Sequence, residues 1–310
     1  MKNIFPLLLI VTITLGFISC ERFTEGVIHE VPFPEHTPRL AATVISADTD
    51  TKLMAQVTST ASVLDPAGPH PVAGAVISLS IGQDSIVYTL GEENFNDTLY
   101  ILDLGGKFGH FDEMMTLNVE APDFEPITAT NVMPSIPEVE LLYGYQADTM
   151  TSPWFGEVIR DSYTLDLINH LEIDDTYLIH VDALYIDSYT LDTLDWKNVR
   201  LMTQPDHRIV EGTIAGGLMI SDINTPDLID GLTGITFFSE SFDDEMKWSP
   251  VAMRMRVEAL SPELAKFYQS TDNYLSGGFD LFAEPSLIYS NVSSGFGCFG
   301  LSSETIVEIY

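Results

Sequence analysis

The chain has 310 residues, 45% of them hydrophobic, and its 46 acidic residues against 13 basic ones give a net charge of −33. An acidic excess of this size repels phosphate backbones, so the composition excludes nucleic-acid binding. It also repels anionic lipid headgroups, so membrane contact has to come from another feature. The hydrophobic content is enough for one large or two moderate cores.

The first residues follow the pattern of a lipoprotein signal peptide. Lys2 gives the positive start, an apolar run extends from Ile4 to Phe17, and the small residue Ser19 precedes Cys20. The run is shorter than the ~20 apolar residues of a membrane-spanning helix. We therefore predict a signal peptide over residues 1–19 and a lipidated Cys20 that anchors the mature protein. The alternative is an ordinary signal peptide in which Cys20 is incidental.

Two segments follow the leader. Residues 20–38 contain three prolines and no sustained period, and we predict an extended tether there. In residues 39–134, apolar and polar residues alternate as in half-buried strands. Short strands punctuated by Gly and Pro predict an immunoglobulin-like β-sandwich. The stretch Pro71–Ile77 also resembles the opening of surface-protein sandwich modules of the prealbumin-like kind. The predicted strands lie within 53–63, 75–81, 86–90, 98–102, 116–121 and 127–132.

Pro134–Pro137 is the predicted boundary to a second, β-rich domain over residues 138–310, so the fold class is all-β. One helix is predicted, with Ser261 as N-cap, Pro262 at the first position and a stop at Gly277. Its predicted apolar stripe contains Leu264, Phe267, Tyr268 and Leu275. The predicted strands are 157–169, 176–186, 198–204, 208–220, 234–241, 251–260 and 305–310.

Chemical motifs are weak in this chain. Asp166, His170, Glu172 and Asp174 share a parity and would project from one face of a strand, which makes them candidate metal ligands. Water-facing strand ends have the same composition, and this simpler interpretation is preferred. We therefore predict no bound metal and no cofactor.

Catalytic signals are equally unspecific. The acidic runs at 174–175 and 243–245 could supply two carboxylates for glycoside hydrolysis, but a chain with 46 acids will always offer such pairs. His180 and His207 are isolated in the sequence, which favours structural or exposed positions. Cys298 has no cationic neighbour in the sequence and is predicted to be an apolar core thiol.

The C-terminal segment carries a family resemblance. Phe282–Pro285, Ile288–Asn291 and Gly295–Gly300 resemble the C-terminal signature of a Bacteroidota outer-membrane lipoprotein family catalogued as domain of unknown function 4249. Pro71–Ile77 and Leu260–Glu263 are similar to further parts of that family, as are Ser221-Asp222, Asp230-Gly231 and Tyr268. In this signature we expect Phe279, Phe282, Phe296 and Phe299 to be packing anchors, and the glycines to permit tight turns.

The resemblance implies an accessory role, because members of the family are encoded beside TonB-dependent receptors. We expect a lipid-anchored, non-enzymatic protein of the outer membrane, on its periplasmic or cell-surface side. Its expected partner is a TonB-dependent outer-membrane receptor that takes up a nutrient. The alternative is a surface hydrolase or glycan-binding protein that uses some of the acids together with Trp154, Trp196 and Trp248.

Overall fold

The computed structural model describes residues 35–62, 65–82, 86–140, 146–152, 156–168, 176–186, 193–199, 201–202, 217–221, 229–239, 250–277 and 287–309. These residues form strands β1 to β18, one α-helix (α1, Pro262–Gly277) and a short 3-10 helix (Glu92–Asn94). The strands are β1 Leu40–Ala47, β2 Lys52–Ser59, β3 His70–Pro71, β4 Val76–Ile81, β5 Ile86–Leu90, β6 Tyr100–Asp103, β7 Met114–Glu120, β8 Ile127–Val132, β9 Glu138–Glu140, β10 Gln146–Ser152, β11 Gly156–Ile168, β12 Thr176–Ile186, β13 Thr193–Val199, β14 Leu201–Met202, β15 Leu218–Ser221, β16 Ile229–Ser239, β17 Pro250–Leu260 and β18 Phe296–Glu308.

The strands form three sheets, and the all-β fold class with one helix is confirmed. The largest sheet has nine strands in the order β13-β12-β17-β18-β1-β2-β3, with β15 beside β12 and β6 beside β2. A five-stranded sheet has the order β10-β11-β16-β14, with β9 beside β11. The third sheet has four strands in the order β5-β4-β7-β8.

The nine-stranded and the four-stranded sheet pack face to face as a sandwich around the largest apolar core of the described residues. Every second residue of β2, β4, β7 and β8 points inward, as the period-two pattern predicts. Leu53, Ala55, Val57, Ile77 and Leu79 are fully buried, in agreement with their predicted parity. Tyr100 lies in the same core, where its hydroxyl donates to the Val72 carbonyl at 2.7 Å and accepts from the Ala75 N–H at 2.9 Å.

Strand β18 pairs with the first described strand and with the strand that precedes α1. Its first half pairs in parallel with β1, from Ala41 opposite Phe296 to Ala47 opposite Ser302. Its second half pairs with β17 in the antiparallel sense. The sequence did not predict β1. In the region of β18 it predicted a strand only over residues 305–310, so the first half of β18 was missed.

Two of the three signature glycines, Gly297 and Gly300, therefore lie in β18, and the tight turns expected there are wrong, whereas Gly295 lies in a bend just before the strand. A Cβ on Gly297 would lie 1.9 Å from the Ala42 carbonyl oxygen, and its φ of +123° is one that other residues rarely adopt. Gly297 thus allows β18 to approach β1. The expected aromatic anchors divide, because Phe299 is fully buried whereas Phe296 is 48% exposed. Phe279 and Phe282 lie outside the described residues.

Helix α1 packs on part of one face of the nine-stranded sheet, against β17 and β18. It begins at Pro262 and ends at Gly277, as predicted. Leu264 packs with Leu178, Met219 and Leu260 in a small core, with Phe267 and Tyr268 at its border. Leu275 is 62% exposed, so its assignment to the apolar stripe was wrong. The cause is that only the first turns of the helix lie on the sheet.

The predicted division near Pro134–Pro137 stays a prediction, although the structure shows what the connecting segment contacts. The carbonyl of Ser135 accepts a bond from the Ser303 hydroxyl at 2.6 Å, and that of Pro137 accepts from the Thr305 hydroxyl at 2.7 Å. The segment therefore lies along β18. In the described part of the chain, no helix has both the length and the apolar character to cross a membrane.

Candidate functional site

A group of charged side chains lies on the face of the nine-stranded sheet that α1 partly covers. In β12 and β17, the odd-numbered residues pack into an apolar core, including Ile179, Val181, Met255 and Val257. The even-numbered residues consequently project from the opposite face. Neighbouring strands align these residues in register. We call the resulting set the charged cluster: His180 and Asp182 of β12, Arg254, Arg256 and Glu258 of β17, and Glu304 of β18.

The two arginines balance several carboxylates. Arg256 Nη1 lies 3.1 Å from Glu258 Oε1 and 4.0 Å from Glu304 Oε2. Arg254 Nε lies 3.4 Å from Asp182 Oδ2, and its guanidinium carbon is 4.3 Å from the centre of the Trp196 ring. Because Asp182 and Glu258 are largely buried, these pairs are shielded from solvent more than surface ion pairs are.

His180 is neutral in this environment. It is only 4% exposed, and burial followed by the nearby Arg256 charge lowers its pKa to about 4, although Asp182 acts in the opposite direction. Its Nε2 lies 3.9 Å from Glu258 Oε1, but a neutral imidazole forms no ion pair at pH 7. The Asn198 amide nitrogen lies 3.2 Å from Nδ1 and can only donate, which places the imidazole proton on Nε2, towards Glu258.

Glu258 has the complementary perturbation. Its pKa is raised to about 7, chiefly by burial; the Arg256 charge lowers the pKa, and the charges of Glu304, Asp50 and Asp182 add to the effect of burial. The pKa of this carboxyl therefore lies close to neutral pH. A carboxyl of this kind is able to act as an acid or a base near pH 7.

The cluster is joined to the turn between β1 and β2. The backbone N–H of Glu304 donates to Asp48 Oδ1 at 2.8 Å, and the Thr49 hydroxyl donates to the Glu304 carboxylate. Burial raises the pKa of Asp48, while the Glu304 N–H lowers it. The N-terminal turn thus contacts the C-terminal strands through charged and polar groups.

A second polar network lies where β8, β18 and the start of α1 meet, and we call it the junction. The Asn131 amide donates to Ser261 Oγ at 2.9 Å and to the Phe299 carbonyl at 2.8 Å. The Asn291 side chain donates to the same carbonyl and accepts from the Phe299 N–H, both at 2.9 Å. Ser261 Oγ also accepts from the Leu301 N–H at 3.1 Å. Ser261 therefore bonds to neighbouring strands, while its carbonyl accepts the first bond of α1 from Ala265.

The junction brings together three of the segments that carry the family resemblance. Ser261 comes from the segment Leu260–Glu263, Asn291 from Ile288–Asn291, and Phe299 from Gly295–Gly300. Gly300 belongs here too, because a Cβ on it would lie 2.6 Å from Leu264 Cδ1. The signature thus builds the contact between the last strand, the helix and the sandwich.

Most of the site residues predicted from sequence lie outside the described residues. These are Cys20, His170, Glu172, Asp174, the acids at 243–245, His207, Trp154 and Trp248. The backbone of Asp166 pairs with Glu140 in the five-stranded sheet. Among the described residues, no three His, Cys, Asp or Glu side chains are placed to hold a metal ion.

Two other sequence interpretations can be checked. Cys298 is a buried free thiol, as predicted, and burial raises its pKa to about 12. His180 is buried, as a structural residue would be. It was wrong to treat it as isolated, because strand pairing places the side chains of Glu258 and Asn198 beside its imidazole. Trp196 is partly buried and stacks against Arg254.

Sequence analysis missed the charged cluster. The signal was present as polar residues at alternate positions of β12 and β17, opposite a continuous apolar parity. Recognising it required the pairing of His180 with Arg256 and of Glu258 with Glu304, which joins residues far apart in the chain.

Comparison with known proteins agrees with the resemblance. No curated protein matches the chain. Residues 42–306 match a protein family described as a domain of unknown function (DUF4249). The matched region extends from β1 to β18 and includes both the charged cluster and the junction. The chain therefore belongs to the DUF4249 family.

Proposed function

We propose that this protein is a lipid-anchored, non-enzymatic accessory of the outer membrane or cell surface that associates with a TonB-dependent receptor in nutrient uptake. The observation that carries the proposal is the use of the family signature in the junction. Ser261, Asn291 and Phe299 are committed to hydrogen bonds that hold β18 against the helix and the sandwich. In the part of the signature that the structure describes, these side chains build the framework, which suits a protein that acts by binding.

The receptor itself is proposed from the family resemblance, and physical arguments support the pairing. A lipid on Cys20 would confine the protein and a receptor to one membrane, which raises their effective concentration. A stable interface buries ~1,200 to 2,000 Å². With a net charge of −33, we expect its core to be apolar and aromatic, since uncompensated buried acids are costly.

The anchor is tested by a matched pair of cysteine variants. Cys20→Ala should release the protein from the membrane fraction, because it removes the acceptor of the lipid. Cys298→Ala changes the buried thiol and should leave the protein in the membrane. Membrane retention of the Cys20 variant would contradict the anchor.

The receptor is tested by crosslinking intact cells and isolating the full-length protein at low and raised salt. A TonB-dependent receptor should be recovered at both, because salt screens exposed charges far more than it weakens buried apolar contacts. The Cys20→Ala protein, which would no longer share the membrane, should recover much less. Absence of a receptor at both salt levels would remove the accessory function.

The second candidate is a surface hydrolase or glycan-binding protein, and Glu258 is the observation in its favour. Its carboxyl has a pKa of about 7, lies 3.1 Å from Arg256 Nη1 and is influenced by the charges of further acids. Oligosaccharide hydrolysis that Glu258→Gln abolishes, with the fold retained by circular dichroism, would favour this candidate. Activity that survives the substitution would have to come from other residues.

A further inference from the structure

Within the described residues, strand β5 forms an uncovered edge of the four-stranded sheet. On one side it pairs with β4, from Ile86 opposite Ile81 to Leu90 opposite Ile77. On its other side, no backbone hydrogen bond joins it to any described residue. An antiparallel strand directs about half of its N–H and C=O groups towards each neighbour. The outer groups of β5 are therefore available to another strand.

The opposite edge of the same sheet is covered by the chain itself. The Ser293 N–H donates to the Thr128 carbonyl at 2.8 Å, and the Thr128 N–H donates to Ser293 Oγ at 2.9 Å. Asn131, also in β8, bonds to Ser261 and Phe299 in the junction. The two edges thus differ, because the C-terminal segment protects β8 and no described segment protects β5.

The composition of β5 lacks the usual protection of an exposed edge. Its sequence Ile-Val-Tyr-Thr-Leu contains no charge and no proline, and Ile86 and Val87 are 48% and 52% exposed. Its register with β4 is regular from Ile81 to Ile77, so no bulge turns the edge away. Natural edges normally use charge, proline or a bulge to prevent pairing with other chains. An edge without these features is suited to strand addition.

Charge at the end of the strand specifies the partner. Glu92 and Glu93 lie one residue beyond the end of β5, after Gly91, and both are exposed. Two copies of this chain each carry a net charge of −33, so repulsion opposes their association through this edge. A strand that carries basic residues beside its pairing segment would instead be attracted.

We propose that the free edge of β5 binds an extended segment of a partner protein, in which β-branched residues are flanked by Lys or Arg. The segment adds a fifth strand to the four-stranded sheet. Main-chain hydrogen bonds supply the affinity, and Glu92 and Glu93 select the basic flank. This inference is independent of the proposed receptor, since it identifies the partner by chemistry alone.

The probe is the synthetic peptide Lys-Lys-Thr-Val-Thr-Val-Thr-Lys-Lys, labelled for fluorescence anisotropy and titrated with the full-length protein in detergent. Binding should be saturable. A second peptide, N-methylated at alternate residues along the edge that pairs, should bind at least about tenfold more weakly, because it cannot form the main-chain bonds. Equal binding of both peptides would mean attraction by charge alone and would overturn strand addition, as would no binding.

Hydrogen exchange locates the contact without a mutation in the strand. The unmethylated peptide should slow amide exchange in residues 86–90 and leave residues 127–132 of the covered edge unchanged. A Glu92→Gln/Glu93→Gln double variant should weaken binding and reduce its salt dependence. Protection elsewhere would overturn the proposal. So would concentration-dependent protection of β5 without peptide, which would assign the edge to a second copy.

Discussion

His180 and Glu258 have opposite pKa shifts, and the consequence for stability can be worked out. Glu258 is raised from 4.5 to about 7, so between these values the folded protein holds a proton that the unfolded chain has lost. Its contribution to stability is therefore present at low pH and decreases as the pH rises from 4.5 to 7. His180 is lowered from 6.5 to about 4, so its contribution increases as the pH rises from 4 to 6.5.

The two contributions are similar in size. Each shift covers roughly 2.5 pH units, and one unit corresponds to about 1.4 kcal/mol, so each contributes on the order of 3 kcal/mol across its window. Between pH 4.5 and 6.5, the folded pair and the unfolded pair hold about the same number of protons. We therefore expect the pair as a whole to leave the free energy of unfolding almost independent of pH there.

Single substitutions should reveal the hidden slopes. The free energy of unfolding of wild type minus that of Glu258→Gln should fall by up to ~3 kcal/mol from pH 4.5 to 7. Wild type minus His180→Asn should rise by a similar amount from pH 4 to 6.5. Urea unfolding followed by tryptophan fluorescence across this pH range measures both differences. Subtracting the variant from wild type removes the contribution of every other titrating group, because both proteins share it.

Glu308→Gln supplies the matched control, because it removes an exposed carboxylate from the neighbouring strand β18. Slopes of the same sign for the Glu258 and His180 differences would refute the reasoning. If the difference for Glu258→Gln changes with pH no more steeply than the difference for Glu308→Gln, burial does not perturb the pKa of Glu258.

Three further predictions concern packing. Gly297→Ala should destabilise the fold by roughly 3 kcal/mol or more in urea unfolding, because its Cβ would meet the Ala42 carbonyl, whereas Gly105→Ala, with positive φ but open space around it, should cost about 1 kcal/mol. Asn131→Ala should cost about 2 kcal/mol through the loss of two junction hydrogen bonds, and an unchanged melting temperature would contradict the junction. Cys298 should react with maleimide only after unfolding, since it is fully buried with a pKa of about 12, and rapid labelling of the native protein would refute its burial.

The local sequence pattern was sufficient for much of the fold. Strands β5, β8 and β12 begin and end where the alternation predicted, and α1 begins at Pro262 after Ser261. These features depend on neighbouring residues, because a pleated strand alternates faces and a helix start needs its own first-turn residues. The leader and Cys20 are likewise local signals, and they remain predictions.

The tertiary structure decided what these elements do. The parallel pairing of β18 with β1 joins Phe296 to Ala41, and no local period encodes a contact across such a separation. It placed Gly297, expected in a turn, at a close approach between β18 and β1. The raised pKa of Glu258 likewise results from the tertiary structure, since it depends on burial and on charges from other strands. The sequence determined which residues alternate, and the pairing of distant strands determined which of them meet.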